Sequence, residues 1–415
     1  MTNPQADDTS RTILVRCSGT DRPGITTGLL GVLAETGAQL YDMEQVVVRE
    51  RLTLDLLIGV GTGDDALKEL LFHGWTHGLQ LDFEMVSSES TRGALPRAVV
   101  TVIGQHLSPA ALAAVTGAIA AADGNIDRIH RLARYPVVAF EFVVVDGDLD
   151  RMREALLVTS AQHEVDVAVQ PARLERRAKR LVVMDVDSTL IQDEVIDLLA
   201  DEAGCSAEVA ELTRQAMAGD IEFADALHER VRLLAGTPAS AIERVADRIQ
   251  LTPGARTFVR TLKRLGYTVA IVSGGFSAIT DRLASTLGIE HSHANQLEIV
   301  DGVLTGKIVG PVVDRAGKAE VLRAISEAEG IPLSQTVAVG DGANDLDMLA
   351  AAGLGIAFNA KPTVRAQADT ALSVPYLDAI LFLLGINRDE VEAADAADPD
   401  LQLDGLTPVP GMPPV

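Results

Sequence analysis

With 415 residues, 47% of them hydrophobic and 23% charged, the chain has the make-up of a globular protein of roughly two to four domains. Its formal net charge of −24 argues against nucleic acid or an anionic membrane surface as a partner, since both demand a basic face. No apolar run reaches the roughly 18 residues that a spanning helix needs. The polar start MTNPQADDTS carries no signal segment, so the expected address is the cytoplasm. Cys17 and Cys205 lie far apart and are expected to be reduced and packed.

Residues 1–10 are expected to be flexible. RTILVRCSG reads as a strand, DRPGITTGLLGVLAETG as a turn and an amphipathic helix closed by Gly37, and AQLYDMEQVVVRERLTLDLLIGVG as two strands turning near Arg49–Arg51. DDALKELLFHGWTHG is a helix opened by two acids, and LQLDFEMVS a closing strand. This β-α-β-β-α-β order then repeats. PRAVVTVIG is a strand, and SPAALAAVTGAIAAADG a helix with Ser108 as N-cap and Pro109 at its first position. NIDRIHRLAR and PVVAFEFVVV are strands, DLDRMREALLVTSAQH a helix and EVDVAVQPARL a strand. The two copies, 11–92 and 96–173, each predict an antiparallel four-stranded sheet with two helices on one face, the ferredoxin-like arrangement.

LERRAKR, residues 174–180, reads as a charged linker. From 181 to 387 strands and helices alternate, which predicts a parallel α/β sheet, with a helical insertion at about 194–250. From 388 to 415 the chain is acidic and then Pro-rich, and is expected to be disordered.

The chemistry gathers at strand ends. VVMDVDSTL ends an apolar run in Asp185 and Asp187, followed by Ser188 and Thr189. The C-terminal edge of a parallel sheet is where such folds bind ligands. There Asp185 can attack phosphorus as a nucleophile, and Asp187 can lean over the same site as general acid and base. A phosphate facing two carboxylates needs cations. TVAVGDGANDLDML supplies Asp341 and Asp345, hard oxygen ligands that with Asp185 suit Mg²⁺, and Asn344, a donor to phosphate oxygen. TVAIVSGGF ends in Ser273, Gly274 and Gly275, a hydroxyl and bare N–H groups that can cradle phosphate. Lys318 adds a fixed positive charge. Singly, DxDST also reads as a pair of helix N-caps, SGG as a turn and Lys318 as a solvated residue. Their order and spacing together favour one site.

Those residues carry a resemblance. DVDSTL, VSGGF, Lys318 and GDGANDLDML resemble the four motifs of the haloacid-dehalogenase superfamily, and VMDVDSTLIQDE, IVSGGF and GDGANDLDM resemble one family within it, the phosphoserine phosphatases. The likeness spans about Leu181 to Leu384. It implies a Rossmannoid parallel sheet with a helical cap. It makes Asp185 nucleophile and metal ligand, and Asp187 acid/base with its backbone carbonyl on the metal. Ser273, Gly274, Lys318 and Asn344 hold phosphate, Asp341 completes the protein's metal ligands, and Asp345 supports the metal shell. Glu194 resembles the acid that meets a substrate ammonium; with Arg230 it could clamp an amino-acid zwitterion. Met217 and Phe223 resemble apolar lid residues of the cap, though they also read as plain helix packing.

The two repeats resemble ACT domains, modules that bind amino acids. In GTDRPGI, Asp21, Arg22 and Gly24 stand at the turn where such a ligand would sit; GQHLSP in the second copy lacks the acid. The resemblance to the mycobacterial-type form with two N-terminal ACT domains implies a homodimer, with serine as the feedback ligand. The combined expectation is Mg²⁺-dependent hydrolysis of O-phospho-L-serine, the last step of serine biosynthesis. Two other readings stay open: action on another small phosphate ester, and an amino-acid-sensing protein without catalysis.

Overall fold

Every second residue through the middle of β1 (Arg11–Thr20) points inward: Ile13, Val15 and Cys17 are buried between more exposed neighbours. That period of two marks a strand with one covered face. β1 runs antiparallel to both β3 (Arg51–Val60) and β4 (Gln80–Val86), and β2 (Gln39–Val48) pairs with the far side of β3. Arg49 and Glu50 turn β2 into β3 with φ of 46° and 63°, the paired left-handed conformation of a two-residue hairpin. Helices α1 (Ile25–Thr36) and α2 (Asp65–His77) cover one face through Leu29, Leu33 and Leu70. Gly37 closes α1 at φ 68°, which a residue with a side chain adopts only under strain.

The computed structural model describes residues 11–61, 63–86, 96–218, 221–399 and 401. The chain forms two units, Met1–Ala94 and Leu95–Val415. The second unit opens with the repeat: β5 (Pro96–Gly104), α3 (Pro109–Ala121), β6 (Gly124–Ala133), β7 (Val138–Asp146), α4 (Leu149–His163) and β8 (Asp166–Pro171). Its strand order, β6-β7-β5-β8, matches β2-β3-β1-β4 of the first copy. Ser108 caps α3 by accepting the Ala111 N–H at 3.1 Å.

Within the same unit, β9 (Leu181–Met184) starts the parallel domain. All four residues are fully buried, Val182 and Met184 in one core and Leu181 and Val183 in another, as a strand covered on both faces requires. The helices α6 (Val195–Ala203), α7 (Ser206–Ala218), α8 (Phe223–Leu233) and α9 (Ser240–Arg248) form the cap. There follow α10 (Ala255–Arg264), β10 (Thr268–Phe276), α11 (Ser277–Leu287), β11 (His291–Val300), β12 (Val303–Val309), α12 (Arg315–Ala328), β13 (Thr336–Gly340), α13 (Leu346–Ala351), β14 (Gly355–Phe358), α14 (Pro362–Arg365), β15 (Thr370–Leu372) and α15 (Ile380–Leu383). The sheet order is β12-β11-β10-β9-β13-β14-β15, parallel except for β12. β9 is flanked by β10 and β13, so the ends of the three motif-bearing strands stand side by side. Among the described residues no helix is long and apolar enough to cross a membrane.

Two expectations are refined by the structure. The charged linker read at 174–180 is not without structure: α5 (Leu174–Arg177) lies there, with Arg176 buried against Glu141 of β7 and the Lys179 ammonium donating to the Ser334 carbonyl at 2.7 Å. These charges are matched inside the fold, so their polarity did not keep them at the surface. Nor does disorder begin at Arg388. α16 (Arg388–Ala396) is capped by Asn387, buries Val391, and is tied down by Arg388 to Asp378 and by Asp395 to Arg260 and Arg264. Those ion pairs supply the fixed partners that an acidic segment lacks alone. Residues 1–10 and 402–415 lie outside the described residues.

The second repeat and the parallel domain share buried polar bonds. The Asp166 carboxylate accepts the N–H groups of Ser373 and Val374 at 2.6 and 3.2 Å, and the Gln170 amide donates to the Leu383 carbonyl at 2.9 Å. Ile103, Leu132 and Ala139 of the repeat join the main core of the parallel domain.

Candidate active site

Asp185 caps the end of β9, its N–H donating to the Val339 carbonyl at 2.9 Å as the last rung toward β13. The chain then breaks away: Asp187 is extended, and Ser188 takes a left-handed φ of 56°. That turn sends the two carboxylates to different partners. Asp185 accepts from the Lys318 ammonium at 2.6 Å. Asp187 accepts the Val195 N–H at 2.8 Å, at the start of the cap, and the Ser273 hydroxyl at 2.9 Å. A Cβ on Gly275 would come 2.9 Å from both the Asp187 carboxylate and the Ser273 hydroxyl, so the loop has room there only for glycine.

From β13, the loop opens into a short turn in which Asp345 accepts the Gly342 N–H at 2.9 Å and the Lys318 ammonium at 2.7 Å. Lys318, fully buried on the first turn of α12, thus bridges Asp185 and Asp345. Burial works against its charge, but attraction to the two carboxylates outweighs it and holds its pKa above the ordinary lysine value. Burial, and then the neighbouring charge of Asp345, pushes the Asp185 pKa well up despite Lys318. Burial likewise raises Asp187 above the usual carboxylate range. Asp341, raised to about 6 by burial and by Asp345, accepts the Thr189 hydroxyl at 3.2 Å.

One oxygen each from Asp185, Asp341 and Asp345 lies within 4.8 Å of the others. Four carboxylates stand near the Lys318 ammonium; burial is the main cause of the upward shifts at Asp185, Asp187 and Asp341, and the Asp345 charge adds to it at Asp185 and Asp341. The all-oxygen donor set fits a hard divalent cation. The side chain of Asp187 stands apart from that trio and is bonded instead to Val195 and Ser273. Asp345, expected behind the metal, presents an oxygen as near as the other two, while Lys318 and Gly342 already occupy its oxygens.

In the cap, Glu194 accepts the Ser188 hydroxyl at 2.7 Å, and burial followed by the Asp187 charge raises its pKa to about 7. Arg230, buried on α8, donates to the Ala226 carbonyl at 3.3 Å and the Thr213 hydroxyl at 3.4 Å. Burial lowers its pKa, opposed by the charges of Asp197, Glu194 and Asp187. The two proposed clamp residues feel each other electrostatically, and among the described residues no ion pair joins them directly. Asn344 is half-buried beside Gly342. Met217 and Phe223 stand on α7 and α8, but their side chains lie outside the described residues. In the first repeat, Asp21 and Arg22 are exposed; the Asp21 N–H bonds the Glu50 carbonyl at 2.7 Å, Arg22 bonds the His77 carbonyl, and Gly24 takes φ 96° ahead of α1.

Sequence reasoning gave no role to Ser188, Thr189, Asp197 or Asn295. The DxDST string drew attention to the first two. Nothing in the local pattern marks Asn295, which is fully buried, donates to the Gly274 carbonyl at 2.8 Å and accepts the Val313 N–H at 2.8 Å.

Comparison with known proteins agrees with this arrangement. Residues 182–350 match the haloacid dehalogenase-like hydrolase family, and residues 11–84 and 97–170 each match an ACT domain family. A phosphoserine phosphatase of Streptomyces coelicolor is 53% identical over 94% of this chain and 96% of its own. One from Mycobacterium tuberculosis is 47% identical over 93% and 96%. The crystal structure of a probable phosphoserine phosphatase from Vibrio cholerae, in unliganded form, is 35% identical and superposes with a TM-score of 0.56 over 69% of this chain and 86% of that one. With buried acids, loop serine and lysine assembled at one sheet edge behind two ACT modules, the chain belongs to the phosphoserine phosphatases, in the form that carries two ACT domains ahead of the hydrolase.

Proposed function

We propose that the chain hydrolyses O-phospho-L-serine to serine and phosphate, with Asp185 as nucleophile. The observation that carries this reading is the division of labour between the two acids. Asp185 faces the buried Lys318 ammonium, while Asp187 sits against the cap with its pKa raised by burial. Burial raises the Asp187 pKa and so favours its protonated form, from which a proton can pass to the departing serine oxygen while Asp185 bonds to phosphorus. The deprotonated Asp187 then takes a proton from the water that opens the aspartyl phosphate. Ser273, the Gly274–Gly275 backbone, Asn344 and Lys318 steady the phosphoryl oxygens. Mg²⁺, held by Asp185 and Asp341 with the Asp187 carbonyl and backed by Asp345, would neutralise phosphate charge and align it for attack. The direct test is phosphate release from phosphoserine with and without a chelator: activity that survives chelation, or that is lost and not restored by Mg²⁺, removes Mg²⁺ from the proposal.

Substrate choice rests on Glu194. An anion placed near the reacting centre suits the ammonium of phosphoserine, and Arg230 suits its carboxylate. With its pKa at about 7, Glu194 loses its charge as pH falls. KM for phosphoserine is therefore expected to climb below pH 7, approaching about tenfold per pH unit, while KM for glycerol phosphate, which has no amine, does not follow. Glu194→Gln should show a high KM for phosphoserine at every pH. Parallel profiles for the two esters, or equal losses in the variant, would refute the ammonium role and leave another small phosphate ester as the substrate.

Regulation and assembly belong to the same proposal. Serine is the expected effector at the Asp21–Gly24 turn. A homodimer is supported by β2, a sheet edge whose ten residues are all exposed, among them Leu40, Tyr41, Met43, Val46, Val47 and Val48. An apolar unpaired edge of this length is a template for pairing with a second copy. Met43→Lys with Val47→Lys, on one face of the strand, should halve the mass seen by light scattering; an unchanged mass would move the interface elsewhere. The free thiols Cys17 and Cys205 suit a reducing cytoplasm.

A further inference from the structure

We propose that Asn295 is a positioning residue that fixes the phosphate loop to the helix carrying the lysine; this deepens, and rests on, the phosphatase reading above. The loop Ser273–Gly274–Gly275 has little of its own to hold it still, since its two glycines bring no side chains and wide backbone freedom. The sheet does not hold it either. The parallel ladder between β10 and β11 runs through Val272 and His293, is interrupted, and resumes only at Phe276 and Asn295. The loop falls in that gap, so the Gly274 carbonyl has no strand partner there.

Asn295 fills the role. Its amide N–H donates to the Gly274 carbonyl at 2.8 Å, and its amide oxygen accepts the Val313 N–H at 2.8 Å. Val313 precedes Asp314, whose side chain caps α12 by accepting the Gly317 N–H at 2.8 Å, and Lys318 is the next residue. One buried side chain thereby joins two phosphate-handling groups that arrive on different elements. The geometry demands a donor at one end and an acceptor at the other, which of side chains this size only an amide provides. Its effect on chemistry passes through Ser273: the Gly275 N–H donates to the Ser273 hydroxyl at 2.7 Å, and that hydroxyl donates to Asp187 at 2.9 Å. Releasing Gly274 frees the segment that sets this chain of bonds, and a displacement of about 1 Å at reacting groups costs on the order of 10²-fold in rate.

Asn295→Asp keeps the bond from Val313 but turns a carboxylate toward the Gly274 carbonyl; Asn295→Leu removes both bonds at similar volume. Steady-state kinetics with phosphoserine, with and without Ser273→Ala, and direct binding of inorganic phosphate by calorimetry form the test, with thermal melting to register folding. The expected result is a loss of about 10- to 100-fold, mainly in kcat, together with about tenfold weaker phosphate binding. Because both residues act through one loop, each double variant should lose no more than about threefold beyond its worse single change. Phosphate affinity within about threefold of wild type in folded Asn295→Asp, or losses that multiply with Ser273→Ala, would overturn the proposal. A wild type that binds phosphate but leaves phosphoserine intact would instead overturn the phosphatase reading, and the calorimetry would still decide the role of Asn295.

Discussion

Asp185→Asn is expected to abolish phosphate release from phosphoserine, lowering kcat on the order of 10⁴- to 10⁶-fold, the scale seen when an enzyme loses its nucleophile. The change is nearly isosteric, so the buried site should keep its shape. What disappears is the negative oxygen that bonds to phosphorus, and with it one of the two anionic partners of Lys318. Asp187→Asn should behave differently. It removes the proton donor but leaves the nucleophile, so an ester with an acidic leaving group, such as p-nitrophenyl phosphate, should still transfer its phosphoryl group to the enzyme. The covalent species then accumulates, because no base is present to activate water. Mass spectrometry of the quenched Asp187→Asn enzyme should find one phosphoryl group, on the peptide that contains Asp185. A phosphoryl group on any other peptide, or substantial turnover by Asp185→Asn, would end the mechanism.

The second large effect lies far from the chemistry. Arg176→Met is expected to destabilise the second unit by about 3–5 kcal/mol, the usual result of stripping one partner from a buried ion pair. The Arg176 and Glu141 side chains are only 5% and 10% exposed, so the stranded carboxylate would have little access to water. Adding Glu141→Gln should recover much of the loss, since the buried charge is then gone from both sides. The second repeat and the hydrolase form one unit joined by Asp166, Gln170 and a shared core, so both should unfold in the same transition. Denaturant melts read by circular dichroism, with activity followed in parallel, would check this. A change below about 1 kcal/mol, the range of an exposed pair, would show that water reaches Glu141.

The residues of the site were legible because each motif is a local event. An apolar strand that ends in acids, a hydroxyl before two glycines, and a lysine behind an Asp cap can be read within a few positions. The βαββαβ repeats were legible for the same reason: a period of two, turn residues and caps act over short stretches. Ser108 and Gly37 cap their helices as their types suggest.

What the sequence by itself determined, then, is the kind of each element and the candidate groups that the fold gathers at one sheet edge, because propensity, periodicity and side-chain chemistry belong to residues close together in the chain. Tertiary structure alone decided which oxygen faces which partner. It turned Asp187 toward Val195 and Ser273, buried Arg176 and Lys179 in a segment that reads as a charged linker, and fastened α16 through Asp395 to Arg260, 135 positions away. It also brought Gln170 to Leu383 across 213 positions and Asn295 to the phosphate loop. A buried polar group is tolerable only where a partner awaits it, and that partner is supplied by the packing of distant elements, which no local pattern encodes.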